Sequence, residues 1–354
     1  MKIIHCSDIH LDSRMETNLS PEKAAERSGE LCATFGRLAA FAAANEVRAV
    51  LIAGDLFDGG RVSARTVDYV LDAIRRAPQV DFLYLRGNHD EADPFAGLEL
   101  PENLRTFGNT WTYCRYGDVT VAGLEPEDWE GMYPSLDLEP GRTNIVMLHG
   151  QTSTQPGEEL IALPMLRGKN ISYLALGHIH SYTAENLDPE STWCYCGCLE
   201  GRGFDECGRK GFVLLDIQGD KITREFVPFA SRTLYEVPVD ITDLVTVSQL
   251  RQAMERAAEG ISPDSLMKFT LTGTYTLETQ KDLRFLTKSL EPLFWFVKIK
   301  DESRFRIEKE SYEHDISLKG EFIRLVMASD RSEEEKAQII CCGIQALSGE
   351  EIVL

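Results

Sequence analysis

The chain opens with KIIHCSDIHL (residues 2–11), an apolar run that gives way abruptly to an acidic residue and a histidine. The short, isoleucine-rich beginning is typical of a buried β-strand. Asp8 and His10 follow where that strand must end. Ligands of open α/β sheets bind at the carboxyl ends of the strands, so this stretch predicts an α/β domain with its functional site at that edge.

The same pattern continues along the first part of the chain. Further short apolar strands are predicted at residues 49–53, 82–85, 119–122, 145–148 and 173–176. Between the first two strands, Ser20 and Pro21 predict the start of a helix with an apolar stripe, and a second helix is predicted at residues 63–76. Residues 182–229 look strand-rich, with a hairpin turn at Gly219-Asp220. We therefore predict an α/β domain over residues 1–230.

The chain is too long for one hydrophobic core, and its pattern changes after about residue 231. With 354 residues, two domains are expected. Beyond residue 231 we predict a helix that begins near Val247 and stops at Gly260, a helix at 279–290, and strands at 266–271 and 293–299. Residues 231–354 are interpreted as a smaller C-terminal α+β domain with an accessory, capping or partner-docking role.

The composition limits the classes of function. The formal net charge is -20, from 37 Lys+Arg against 57 Asp+Glu. Such a surface repels phosphate backbones, which disfavours a free-standing, non-specific nucleic-acid binder. A nuclease is still compatible with this net charge, because bound cations can reverse the sign of the local charge at a site. Nine cysteines, without a recognisable signal peptide or membrane span, indicate reduced thiols in the cytoplasm.

Five short segments that follow predicted strands carry residues able to bind metals. They contain Asp8 and His10; Asp55; Asn88, His89 and Asp90; His149; and His178 with His180. Any one of these motifs could occur by chance, but five of the seven histidines belong to the set. Two neighbouring ions need a shared ligand, and a carboxylate spans them well, so Asp55 is our candidate bridge. Gly54, Gly87 and Gly177 each precede such a segment, where the chain must turn sharply out of the sheet.

The mixture of donors indicates which metals would bind. Imidazole and carboxylate ligands, with one amide oxygen from Asn88, suit manganese, iron or zinc better than calcium or magnesium. We expect two divalent ions and choose manganese, with iron and zinc as the alternatives.

Taken together, these segments resemble the signature of the calcineurin-like metallophosphoesterases. That signature reads Asp-x-His, Gly-Asp-x-x, Gly-Asn-His-Asp/Glu, a lone His and Gly-His-x-His, and the resemblance covers roughly residues 1–230. It implies a sandwich of two sheets flanked by helices. It also implies one metal held by Asp8, His10, Asp55 and His180, and the other by Asp55, Asn88, His149 and His178. His89 would face the substrate as a catalytic residue, oriented by Asp90.

Within that superfamily, residues 4–11 and the segment GDLFD (54–58) look most like the SbcD-type DNA repair nucleases. The segment GCLEGRGFDE (197–206) is similar to the one that follows the last metal motif in that branch, and within it we expect Arg202 to bind substrate. The usual Pro-Gly-Ser is replaced by Cys196-Gly197-Cys198. Together with Cys194, these thiols would face one side of a strand, which suggests a zinc-binding or redox-active site. Packing as small hydrophobic side chains is the alternative.

The sequence therefore predicts a hydrolase, namely a two-metal phosphodiesterase. The resemblance implies a manganese-dependent DNA repair nuclease or exonuclease that works with an SbcC-like ATPase, and a homodimer is compatible with it. The main alternative is a small-molecule or nucleotide phosphodiesterase, since the same metal site serves both substrate classes. A non-catalytic scaffold on this fold is a third hypothesis, but it would be expected to have lost ligands, and none is missing here.

Overall fold

The computed structural model of the chain describes residues 1–15, 19–59, 62–90, 93–307 and 312–348. The chain divides into two compact units, Met1–Thr233 and Leu234–Leu354. No helix in the described ranges combines the length and the apolar character that a membrane span requires.

The first unit begins with strands that alternate with helices. In chain order these are β1 (Lys2–Cys6), α1 (Pro21–Ala44), β2 (Val47–Ala53), α2 (Ala64–Arg75) and β3 (Asp81–Leu85). A serine caps the start of each helix. The Ser20 hydroxyl accepts a hydrogen bond from the Lys23 amide, and the Ser63 hydroxyl accepts one from the Thr66 amide. Each cap satisfies an amide that a helix leaves unpaired at its first turn, so the predicted starts are confirmed.

The rest of the first unit consists mainly of strands. Its further elements are β4 (Leu104–Thr106), β5 (Thr112–Tyr116), β6 (Val119–Gly123), α3 (Met132–Ser135), β7 (Thr143–His149), β8 (Gln151–Ser153), β9 (Leu160–Ala162), α4 (Leu163–Leu166), β10 (Tyr173–Gly177), β11 (Thr183–Asp188), β12 (Ser191–Tyr195), β13 (Gly211–Gln218) and β14 (Lys221–Pro228). The predicted hairpin is confirmed, since β13 and β14 pair antiparallel around Gly219, whose φ is +64°.

These strands form two six-stranded sheets. The first sheet has the order β14-β13-β1-β2-β3-β4, and the second has the order β11-β12-β10-β7-β6-β5. In the first sheet β1 to β4 run parallel, and in the second β6, β7, β10 and β12 run parallel. The antiparallel pairings lie toward the edges, at β13, β14, β5 and β11.

The two sheets pack face to face with helices on the outer faces. Ile3, Leu51 and Leu83 of the first sheet share a buried core with Ile145 and Ala175 of the second. A second core lies between the first sheet and helices α1 and α2, and a third lies against α3 and α4. A strand covered on both faces must be apolar throughout, which explains the continuous runs in the sequence. The predicted sandwich of two sheets flanked by helices is confirmed.

The second unit has a small parallel sheet. Its elements are β15 (Leu234–Asp240), α5 (Val247–Ala257), β16 (Leu266–Thr272), β17 (Thr274–Tyr275), α6 (Leu283–Leu290), a 3₁₀ turn (Glu291–Leu293), β18 (Phe296–Asp301), β19 (Arg304–Phe305), α7 (Leu318–Met327) and α8 (Glu333–Ser348). The sheet has the order β15-β16-β18, and β17 pairs with β19. Its core includes Leu250, Met254, Phe269 and Leu286.

Two predicted boundaries in this unit were wrong for local reasons. Helix α6 begins at Leu283 instead of residue 279, because Asp282 caps it by accepting a hydrogen bond from the Phe285 amide. Strand β18 begins at Phe296 instead of residue 293, because Glu291–Leu293 first form a 3₁₀ turn that contains a proline. In both places a capping or turn residue overrides the apolar pattern.

Candidate metal centre

The predicted metal-binding residues come together where the parallel strands of both sheets end. Asp8 and His10 follow β1, Asp55 follows β2, and Asn88 follows β3, all in the first sheet. His149 is the last residue of β7, and His178 and His180 follow β10, in the second sheet. The site is built across the sandwich, because the carboxyl ends of both sets of parallel strands meet at one edge.

One half of the centre contains His10, His180 and Asp8. The Nε2 atoms of the two imidazoles are 3.2 Å apart, and His180 Nε2 lies 3.7 Å from Asp8 Oδ1. The donor atoms of these three residues all lie within 4.8 Å of one another. We call this group, with Asp55, the first half of the centre.

The other half contains Asn88, His149 and His178. Asn88 Oδ1 lies 2.8 Å from His149 Nε2 and 3.2 Å from His178 Nδ1. Asp55 joins this second half to the first, since its Oδ2 atom lies 3.4 Å from His149 Nε2 and 3.7 Å from His10 Nε2. The structure thus brings all seven predicted ligands together, with Asp55 in the middle.

The donor set fits the divalent ions that the sequence predicted. Four imidazoles, two buried aspartates and one amide oxygen converge, and oxygen and nitrogen donors in such a mixture favour manganese, iron or zinc.

The two halves differ in what lies behind their imidazoles. In the first half, His10 Nδ1 lies 3.3 Å from Asp58 Oδ1, and His180 Nδ1 lies 2.6 Å from Glu206 Oε1. In the second half, His149 Nδ1 donates a hydrogen bond to the backbone carbonyl of Ala53 at 3.0 Å. Each of these contacts leaves Nε2 of its ring directed at the centre.

His89 lies at the accessible rim, and its orientation corrects a sequence-based expectation. Its side chain is 45% exposed, and Nδ1 lies 3.0 Å from Asp58 Oδ1. Asp90, which was expected to orient His89, is buried and accepts hydrogen bonds from the amides of Leu56, Phe57 and Gly87. Asp58 therefore takes the orienting position, and Asp90 ties the loop after β3 to the loop after β2.

Sequence reasoning missed two carboxylates, Asp58 and Glu206. Both lie in segments that were recognised, GDLFD (54–58) and GCLEGRGFDE (197–206), but neither was assigned a role. Spacing offers a signal only for Asp58, three residues after Asp55. Glu206 lies 26 positions beyond His180, so only the tertiary structure places it there.

Arg202, which was expected to bind substrate, lies among these carboxylates. Its Nη2 is 3.0 Å from Glu206 Oε1, and its Nη1 is 3.5 Å from Asp58 Oδ2. Nη1 also donates to the Ser13 hydroxyl at 3.3 Å.

Proton affinities in the centre follow from its charges. Burial raises the pKa of Asp55, but the hydrogen bond and charge of His149 outweigh that effect and hold it at about 2. Burial lowers the pKa of His149, but Asp55 raises it to about 9. Likewise, the pKa of Glu206 is about 2, because His180 and Arg202 outweigh its burial. The protein therefore holds the ionised carboxylate of Asp55 beside the protonated imidazole of His149, and a bound cation would replace that proton.

The backbone around the centre is strained. Asp8, His10 and Asp55 have φ close to +50°, and His178 has φ of +107°, in the region that residues with a Cβ rarely adopt. Such conformations persist where the surrounding fold fixes them, and they concentrate at functional sites.

The glycines before the ligands have two different roles. Gly54 takes a φ of +92°, a backbone conformation that favours glycine. At Gly177 the reason is close packing, since a Cβ there would overlap the Ala53 carbonyl oxygen. Gly87 is similar, because a Cβ there would overlap the Asp55 carboxylate.

The three cysteines do not form a site of their own. Cys194 and Cys196 are buried in the core between the sheets, and Cys196 Sγ lies 3.0 Å from the Ser7 hydroxyl. Cys198 lies instead beside His180 and Glu206. Burial raises the pKa of Cys194 to about 11, so its thiol stays protonated. The packing interpretation fits these cysteines better than a zinc or redox site.

Comparison with known proteins agrees with this geometry. Residues 1–182 match the family described as calcineurin-like phosphoesterase, so the chain belongs to that family of metal-dependent hydrolases and is a metal-dependent phosphodiesterase. The predicted family is therefore confirmed.

Curated relatives resemble the chain at low identity. The uncharacterized metallophosphoesterase YhaO of Bacillus subtilis is 26% identical over 72% of this chain and 67% of its own length. The DNA double-strand break repair protein Mre11 of Saccharolobus solfataricus is 23% identical over 100% of this chain and 97% of its own. A subunit of the nuclease SbcCD from Rhodobacter capsulatus is 29% identical over 50% of this chain and 38% of its own.

Proposed function

We propose that the chain is a two-metal phosphodiesterase whose ions, manganese in our proposal, are bound by the seven residues of the centre. The first ion would be held by Asp8, His10, Asp55 and His180, and the second by Asp55, Asn88, His149 and His178. The observation that carries the proposal is the position of Asp55, with one carboxylate oxygen between the imidazoles of His10 and His149. Only a shared ligand of this kind can hold two ions as close as two-metal catalysis requires.

The reaction we propose is hydrolysis of a phosphodiester. When bound, the ions supply Lewis acidity and lower the pKa of a water molecule to near neutrality. His89, exposed at the rim, is positioned to stabilise charge on the phosphoryl group or to protonate the leaving oxygen. Asp58 keeps the His89 ring oriented, and Asp90 holds the loop that carries His89.

We propose DNA as the substrate and DNA repair as the role. The support is the similarity to a DNA double-strand break repair protein and to a nuclease subunit, together with the motifs of residues 4–11 and 54–58. An acidic chain with a net charge of -20 needs help to hold a polyanion. We therefore propose an SbcC-like ATPase as the partner that contributes DNA-binding surface, with residues 231–354 as an accessory or partner-docking domain. All nine cysteines are free thiols, which suits a cytoplasmic protein.

One observation favours a second candidate, a phosphodiesterase for small substrates. A cleft of about 540 Å³ opens beside Asn88, His149 and His178. Its walls carry Glu125, Glu127, Glu158 and Glu159, and the arginine among the lining residues, Arg86, pairs with Glu125 at 2.7 Å. Such walls repel further phosphates and would accept a substrate that carries a single phosphodiester.

A direct comparison of substrates tests both candidates. The purified chain is incubated with manganese and end-labelled linear DNA, alone and with an SbcC-like ATPase, and in parallel with bis-p-nitrophenyl phosphate and cyclic nucleotides. The DNA repair proposal expects manganese-dependent cleavage of DNA that increases when the ATPase is present. Turnover of cyclic nucleotides with no DNA cleavage under either condition would favour the second candidate. A protein that binds no manganese and cleaves none of these substrates would refute both.

A further inference from the structure

The Arg202 side chain, which was expected to bind substrate, is paired with carboxylates of the protein itself. Its side chain is only 19% exposed and lies between two carboxylates. Nε and Nη2 lie 3.3 and 3.0 Å from Glu206 Oε1, and Nη1 lies 3.5 Å from Asp58 Oδ2. Donors that already bind two buried or partly buried carboxylates are poorly placed to bind a phosphate.

Each of these carboxylates contacts histidines of the metal centre. Glu206 Oε1 accepts a hydrogen bond from His180 Nδ1 at 2.6 Å, and Asp58 Oδ1 lies 3.3 Å from His10 Nδ1 and 3.0 Å from His89 Nδ1. The guanidinium of Arg202 is therefore linked through two carboxylates to three imidazoles.

The turn between Arg202 and Glu206 is closed on itself, which fixes this arrangement. The Arg202 amide donates to Glu206 Oε2 at 2.7 Å, and the Glu206 amide donates to the Gly203 carbonyl at 2.9 Å. Glu206 is 5% exposed, and a buried carboxylate is stable only when it is paired. The pairing with Arg202 thus holds the Glu206 carboxylate behind His180.

The second half of the centre has a different support. His149 is oriented by the Ala53 carbonyl, which belongs to strand β2. The carboxylates that Arg202 contacts lie instead behind His180 and His10, which belong to the first half. A change in the Arg202 pair should therefore act on the first half alone.

We propose that Arg202 and Glu206 are positioning residues that orient His180 and, through Asp58, His10, and thereby set the affinity of the first of the two metal ions. This inference rests on the ligand sets of the proposed function. Arg202 then acts through the metal ligands and does not contact the substrate. A carboxylate behind a metal-binding imidazole fixes the ring and increases its basicity, and loss of such a partner typically weakens metal affinity about 10- to 100-fold.

The test compares Arg202→Gln and Glu206→Gln with the wild-type chain. Manganese binding to the metal-free proteins is measured by isothermal titration calorimetry, and folding by circular dichroism and thermal melting. We expect one of the two binding events to weaken about 10- to 100-fold while the other changes less than about twofold. Glu206→Asp should recover part of the lost affinity. Arg115→Gln is the matched control, because Arg115 forms an exposed pair with Glu139 away from the site.

Kinetics with bis-p-nitrophenyl phosphate separate positioning from substrate binding. For Arg202→Gln we expect an unchanged KM, a higher manganese concentration for half-maximal rate, and a kcat that recovers as manganese approaches saturation. A raised KM with both binding events intact would overturn the inference and return Arg202 to substrate binding. Equal weakening of both events with a lower melting temperature would also overturn it, as a general structural effect.

Failure of the proposed function and failure of the inference about Arg202 and Glu206 give different results. A wild-type chain that fails to bind two manganese ions refutes the ligand assignment itself. A wild-type chain that binds two ions but does not cleave DNA refutes the substrate proposal only, and the comparison of the variants still stands.

Discussion

The two halves of the metal centre hold their histidines in different ways. In the first half, side-chain carboxylates from Asp58 and Glu206 lie behind His10 and His180. In the second half, a backbone carbonyl of strand β2 lies behind His149. A side-chain support can be changed by one substitution, whereas a backbone support belongs to the fold. The support of the first half's imidazoles should therefore be adjustable by point mutation, whereas the support of His149 in the second half should change only where the backbone itself is displaced.

The largest effect should come from the residue that both halves share. Asp55→Asn removes the charge of the bridging carboxylate, so we expect both ions to bind weakly and the rate to fall by more than about 10³-fold, the upper end of the effect of one charge-stabilising group. Titration calorimetry and bis-p-nitrophenyl phosphate turnover measure the two quantities. If Asp55→Asn still binds two ions with wild-type affinity, Asp55 is not the bridge and the division into halves fails.

A second large effect should leave both halves intact. His89→Ala removes a side chain at the rim that is no ligand in our assignment, so we expect both metals to be retained and turnover to fall about 10²- to 10⁴-fold, the range of general acid–base catalysis. Metal content by elemental analysis and kcat are the measurements. His314→Ala, at an exposed histidine of the other unit, is the matched control. Loss of an ion together with His89 would mean that the assigned roles are wrong.

A glycine substitution tests the backbone-supported half. In Gly177→Ala the new Cβ would overlap the Ala53 carbonyl oxygen and lie 2.8 Å from His149 Nδ1, so the support of His149 must move. We expect the second binding event to weaken about 10- to 100-fold and unfolding to become easier by about 1–3 kcal/mol, as for overpacked sites. Gly108→Ala is the control, because among the described residues no atom other than those of Gly108 and its two chain neighbours lies within 4 Å of its Cβ position. If Gly177→Ala weakened only the first event, the comparison would be reversed.

The smallest effect should be seen in the pH dependence of the metal-free protein. The pKa of His149 is raised from 6.5 in a free side chain to about 9, so the folded state holds a proton that the unfolded state releases between these values. The stabilisation is complete below pH 6.5 and is lost as the pH rises through 9. The melting temperature of the metal-free protein should therefore fall over that window.

Manganese should reverse this trend. The ion requires a neutral imidazole at His149, so its affinity should rise with pH over the same window, by at most about tenfold per unit for each proton released. A melting temperature of the metal-free protein that rises from pH 6.5 to 9 would contradict the predicted charge state of His149.

Much of the first unit could be predicted because its signals are local. Strand β1, the caps of α1 and α2, and the β13–β14 hairpin each depend on a few neighbouring residues, such as Ser20 or Gly219. The strands β4, β8 and β9 have only three residues each, too few to show a periodic pattern, and were not predicted. In the second unit Asp282 and a proline-containing turn moved two boundaries.

The sequence by itself singled out the candidate metal-binding side chains, because each of them lies at the end of a strand that its apolar pattern reveals. Only the tertiary structure decided that these strands belong to two sheets, that Asp58 and not Asp90 orients His89, and that Glu206 lies behind His180. The physical reason is the distance along the sequence between the residues that interact. A strand or a cap is set by residues a few positions apart, whereas the support of an imidazole is a contact between segments that approach only when the two sheets pack.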